Sequence, residues 1–103
     1  MIAVVANNMG KIIEACKKHR VKSLYLFGSA VTGSFNSKSD LDFLIDYHKD
    51  KEGLPVASFD YFDFLFFLEN LTGKKVDLVV KDAVRNRFFK DSIDKEKVLL
   101  YAE

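Results

Sequence analysis

Three aspartates, a glycine and a serine stand at spacings that suit phosphate chemistry. Asp40 and Asp42 flank one leucine in "DLDFLIDY", and Asp77 interrupts the apolar run "KVDLVV". In an extended strand, residues two apart project to the same side with a rise of roughly 3.3 Å per residue. Asp40 and Asp42 would then lie side by side, close enough to share one or two divalent cations, while Leu41, Phe43 and Ile45 face the core. Asp77 follows the same grammar, with Val76, Leu78 and Val80 on the other side. Should its strand lie beside the first, three carboxylates converge and repel one another. Magnesium would relieve that repulsion, because this hard cation takes carboxylate and phosphate oxygens in one octahedral shell. Asp46, at the strand end beside Tyr47 and His48, reads as an ordinary surface acid.

Gly28-Ser29 closes the apolar run "VKSLYLF". A glycine there lets the backbone approach a ligand, and a short helix beginning there would turn free N–H groups toward an anion. Ser29 adds a hydroxyl donor, and Gly33 and Ser34 let the loop return to Asp40. A phosphate grip next to a carboxylate metal site suits phosphoryl or nucleotidyl transfer. A Ser-His-Asp hydrolase is excluded because Ser29 has no base: His19 belongs to a helix end and His48 to a charged loop.

The elements that must position these residues follow from periodicity and punctuation. Met9, Ile12, Ile13 and Cys16 recur at helical spacing, and Lys17, Lys18, His19 and Arg20 crowd the last turn. Residues 21–27 read as a buried strand, 40–47 as a second strand, and 48–55 as a charged loop closed by Gly53 and Pro55. A helix is expected over 56–73, stopped by Gly73, then a strand over 75–80. Asp82 is expected to cap a last helix over 83–94, and "VLLY" is left open between states. This order predicts an α/β (α+β) chain, a small mixed sheet flanked by helices.

Bulk composition narrows the function. The chain has 103 residues, 49% hydrophobic and 14% aromatic, enough for one domain over 1–103 with its own core. Sixteen basic against fifteen acidic residues give a net charge of +1, which offers no footprint for duplex nucleic acid. A single cysteine, Cys16, excludes a disulfide framework and reads as a core thiol. No apolar run approaches membrane-spanning length, and a cytoplasmic protein is expected.

Gly28-Ser29, ten intervening residues, Asp40-x-Asp42 and a later strand acid at Asp77 together resemble the minimal nucleotidyltransferases of the polymerase-β-like superfamily. The likeness spans roughly residues 22–80, and the last helix with "VLLY" is also similar to that family's ending. It implies the nucleotidyltransferase fold, ATP or another nucleoside triphosphate as substrate, and magnesium held by Asp40, Asp42 and Asp77. It also implies pairing with a HEPN-domain toxin, for which the nucleotidyltransferase is the antitoxin, adding AMP to a toxin tyrosine. One position departs: the family often carries Arg before the second glycine, where this chain has Thr32. Lys38, Arg85 and Arg87 are the candidates to replace that cation.

On the expected helix 56–73, Ala57, Tyr61, Phe64, Leu65, Leu68 and Leu71 make one apolar face, whereas Phe59, Phe62 and Phe66 gather opposite. One face suffices for the core, so the second is expected to be a partner surface. The leading expectation is therefore a magnesium-dependent transferase that moves AMP from ATP to a hydroxyl on a separate protein. Its rival is an antitoxin that neutralises its partner by binding alone, which Thr32 favours and the three acids oppose. Transfer to a small molecule such as an aminoglycoside would call for additional substrate-binding structure.

Overall fold

The computed structural model describes residues 1–56 and 59–103. Four strands, β1 (Val21–Phe27), β2 (Leu41–Tyr47), β3 (Val76–Val80) and β4 (Val98–Ala102), form one sheet in the order β3-β2-β1-β4. β1 runs antiparallel to both β2 and β4, while β2 and β3 are parallel. The mixed sheet expected from the element order is thus present, and "VLLY" resolves as β4 at the outer edge of β1. A register shift lies between Leu24 and Tyr25 where β1 meets β4.

Among the described residues five α-helices accompany the strands: α1 (Ala3–Ala6), α2 (Met9–Lys18), α3 (Ser29–Thr32), α4 (Tyr61–Thr72) and α5 (Arg87–Glu96). β2 is the strand next to β1 and β3, and its two faces differ: Leu41, Phe43 and Ile45 are buried on one, while the other carries Asp42, Leu44 and Asp46. Leu41, Phe43 and Ile45 enter the main core with Ile12 and Cys16 of α2 and Phe64 and Leu68 of α4. Leu44 points the other way, into a small cluster with Phe27 and Ile93 of α5. Burial also pushes the Cys16 thiol up to about 12, consistent with a core cysteine rather than a reactive one.

Two helix starts differ from expectation. α4 begins at Tyr61, not residue 56, because Asp60 is the N-cap: its Oδ1 accepts from the Asp63 N–H at 3.1 Å. Ala57 lies outside the described residues. Phe59 precedes the helix, is only 8% exposed, and stacks on Tyr47 at 4.4 Å. It therefore belongs to the core and not to the expected partner surface. Phe62 and Phe66 do remain outside, 62% and 53% exposed, with ring centroids 6.3 Å apart. α5 likewise begins later than expected, at Arg87 and not residue 83, because Asn86 caps it by accepting from the Phe89 N–H at 3.1 Å. Asp82 instead falls in a 3-10 turn (Lys81–Ala83) and binds Lys49.

The different placement of two phenylalanines three residues apart can be measured. Phe59→Ala should cost about 3–5 kcal/mol of folding stability in urea unfolding, the usual result of removing a buried aromatic. Phe62→Ala should stay within about 1 kcal/mol, as exposed substitutions do.

Candidate active site

The acids meet because of strand register. β2 and β3 pair with Asp42 opposite Asp77, and β1 and β2 pair with Phe27 opposite Asp42. Asp42 thus has Asp77 on one flank and the end of β1 on the other. Asp40 sits exposed one residue before β2 begins, and Asp77 is exposed within β3. Residues 36–39 guide the chain back to Asp40 through a self-bonded turn. Asn36 Oδ1 accepts from the Lys38 N–H at 2.8 Å, and Ser39 Oγ accepts from the Asn36 N–H at 3.0 Å.

Gly28 follows Phe27 and so passes beside Asp42. Its φ of 75° with ψ of −150° is a conformation that residues with a side chain rarely adopt. A Cβ at this position would also overlap the Asp42 carboxylate. Both constraints make glycine necessary here. Ser29 opens α3, whose Val31 and Thr32 N–H groups bond back to the Gly28 carbonyl at 3.0 and 3.1 Å. Gly33 then turns the chain with φ 87°.

Crowding is visible in the electrostatics. The Asp42 carboxyl is pushed up to about 6, first by burial and then by the charges of Asp77, Asp40 and Glu96. Glu96, the last residue of α5, was not legible as a site residue. Its Oε1 accepts from the Gly28 N–H at 3.0 Å, across 68 positions of sequence. Tyr61 also reaches this region: its hydroxyl donates to the Leu78 carbonyl at 2.6 Å, and burial, then Asp77, raise its pKa.

Among the described residues no three His, Cys, Asp or Glu side chains stand close enough together to grip a metal ion unaided. Their chemistry nevertheless suits a hard divalent cation. The donors are all carboxylate oxygens, and both causes of the upward shift at Asp42, burial first and then the neighbouring acids, disfavour its bare charge, which a cation would offset. Two cavities among the described residues lie away from these acids. One of about 320 Å³ is lined by Lys11, His19 and Phe67, and one of about 380 Å³ by Asp46, His48, Lys49 and Asp82. Asp40 and Asp77 are exposed, and Asp42 is half-buried between them and the end of β1.

The residues set aside on sequence grounds have other partners. His48 Nε2 meets a Glu103 carboxylate oxygen at 2.6 Å, and Asp46 lies 3.7 Å from Lys49, both at the far end of β2. The His19 ring lies against Phe64, with centroids 5.6 Å apart. Of the cations considered for the position of Thr32, Lys38 and Arg87 are exposed, and Arg85 donates to the Asp82 carbonyl at 3.0 Å.

Comparison with known proteins agrees with this geometry. Residues 9–100 match the nucleotidyltransferase domain family, and the chain belongs to it. A Methanocaldococcus jannaschii protein, provisionally named protein adenylyltransferase MJ1379, is 35% identical over 81 residues, covering 79% of this chain and 78% of its own. Protein adenylyltransferase MntA of Thermococcus cleftensis is 32% identical over 73 residues, covering 71% and 69%. Among solved structures, a minimal nucleotidyltransferase superposes with a TM-score of 0.72 at 22% identity, covering 91% of this chain and 90% of that one. The MNT antitoxin in complex with a tri-AMPylated Shewanella oneidensis HEPN toxin gives a TM-score of 0.62 at 19% identity, covering 95% and 72%. These likenesses establish a nucleotidyltransferase with the minimal nucleotidyltransferase fold.

The raised Asp42 carboxyl fixes the sign of a pH effect. The folded state holds the Asp42 proton more tightly than the unfolded chain does, so stability falls as pH rises from about 4 through about 6. Without divalent cations, Asp42→Asn should be the more stable protein at pH 8, by about 1–2 kcal/mol after allowance for solvent screening, and the gap should close at pH 4. Urea midpoints in EDTA at the two pH values check this.

Proposed function

We propose that the chain is a magnesium-dependent adenylyltransferase that moves AMP from ATP to a tyrosine hydroxyl of a HEPN-domain toxin and acts as its antitoxin in the cytoplasm. The observation that carries this reading is the parallel register setting Asp42 opposite Asp77, with Gly28 passing alongside. Asp40 and Asp42 would hold the magnesium, and Asp77 would complete its ligands; bound there, magnesium neutralises phosphate charge and orients the triphosphate. Gly28 and Ser29 seat the triphosphate through the backbone N–H and the hydroxyl. Asp77 accepts the proton of the acceptor hydroxyl as that oxygen bonds to the α-phosphorus. The bond from the α-phosphorus to the oxygen bridging to the β-phosphate breaks, and pyrophosphate leaves with that electron pair. The kinship with proteins named adenylyltransferases and the fold shared with an MNT antitoxin bound to an AMPylated HEPN toxin support the choice of AMP and of partner.

A second reading keeps the partner and removes the chemistry: an antitoxin that acts by occlusion. Thr32 in place of arginine and the Glu96 contact on Gly28 favour it. Incubation with α-labelled ATP and magnesium chloride, with and without a HEPN partner, separates the two. Label should appear on the partner and vanish with Asp40→Asn or Asp42→Asn; activity retained in either variant would remove the carboxylate site.

The exposed pair Phe62 and Phe66 supplies the partner surface in this reading, now without Phe59. Phe62→Ala should weaken the complex by roughly 2 kcal/mol or more in a titration, the usual effect of truncating a central aromatic anchor. Unchanged affinity would place the interface elsewhere.

A further inference from the structure

Glu96 is the carboxylate that a helix brings to the candidate site, whereas Asp40, Asp42 and Asp77 come from β2, its entry and β3. It comes from the end of α5, half-buried, and its Oε1 takes the Gly28 N–H at 3.0 Å. Among the described residues no Lys, Arg or His forms an ion pair with it, although its neighbour Lys97 is paired with Asp94 at 2.9 Å. A negative charge therefore stands unneutralised beside Asp42. Its partner there is a backbone donor, the Gly28 N–H, which offers a carboxylate oxygen what it would offer a phosphate oxygen.

We propose that Glu96 is a positioning residue that sets nucleotide affinity by occupying the phosphate seat at Gly28, so that the triphosphate enters only as the Glu96 carboxylate withdraws. This rests on the reading above in which Gly28 and Ser29 seat phosphate. One N–H cannot donate fully to both anions, and a carboxylate left in place would repel the triphosphate across a few ångströms. Withdrawal needs little rearrangement. Glu96 is the terminal residue of its helix, and α5 is held by a small cluster of Phe27, Leu44 and Ile93 rather than by the main core. The Phe27 and Phe89 rings, 6.1 Å apart, and Lys97 over the Tyr25 ring at 4.6 Å can keep the helix docked while the side chain rotates away.

The cost to binding follows from occupancy. Apparent affinity is reduced by the fraction of molecules in the open arrangement, so a seat closed nine-tenths of the time weakens ATP roughly tenfold. Calorimetric titration of ATP with magnesium chloride into wild type, Glu96→Ala and Glu96→Gln tests this. Glu96→Ala should bind ATP about tenfold more tightly, and Glu96→Gln, which keeps an acceptor but no charge, should fall between. Urea midpoints of both variants without ATP check that each is folded, since loss of the Glu96 charge relieves Asp42 while loss of its hydrogen bond to Gly28 opposes that gain. Unchanged or weaker ATP binding in both variants overturns the proposal, the weaker case making Glu96 a ligand of the nucleotide complex. If wild type and both variants all fail to bind millimolar ATP, the phosphate seat itself is wrong and the competition falls with it.

Discussion

Repulsion among carboxylates at the start of β2 is the constraint on which the rest of the arrangement depends. Asp42 is driven upward by burial and by three neighbouring acids, so the folded chain keeps its proton to higher pH than an ordinary aspartate does. That penalty is tolerable because the opposite side of the same strand is fully committed to the core: Leu41, Phe43 and Ile45 are all buried. Period-two alternation puts the cost and its compensation on adjacent residues of one strand. A slip of one residue would send the acids inward and the apolar residues out, so the hydrophobic pattern that stabilises the sheet also fixes the acids in place.

Gly28 extends that constraint to the backbone. The antiparallel pairing of β1 with β2 brings residue 28 against the Asp42 side chain, where a side chain of its own would not fit. A glycine after a buried strand is expected to let the backbone approach a ligand. Its immediate neighbour is a protein carboxylate, however, and its N–H is taken by another.

What was legible in the sequence divides along the range of the interactions. Asp40, Asp42 and Asp77 stand out because residue type and period-two spacing are local, and the strands expected over 21–27, 40–47 and 75–80 match β1, β2 and β3 to within a residue. Glu96 was missed because its role depends on where α5 packs, which no spacing near residue 96 encodes. Phe59 was placed on the wrong surface for a different reason: the face was drawn on a helix running from residue 56. The cue to the true start lay nearby, since Asp60 can satisfy the N–H of Asp63. Asn86 and Asp82 show the same ambiguity, because both residue types cap helices; Asn86 takes the cap by accepting from the Phe89 N–H, while Asp82 pairs with Lys49. "VLLY" could not be decided by itself because an edge strand is defined by its partner, and β1 lies more than seventy positions away.

That distance has a consequence for the timing of synthesis. β1 is paired on one side by β2, which follows closely, but its other side waits for residues 98–102, with Leu26 meeting Val98. At roughly 5–20 residues per second, a ribosome needs on the order of ten seconds to cross that interval. Throughout it, the nascent chain carries an apolar strand with one row of backbone groups unpaired, a stretch open to chaperones or to wrong partners. Glu96 leaves the ribosome immediately ahead of the strand that covers this edge.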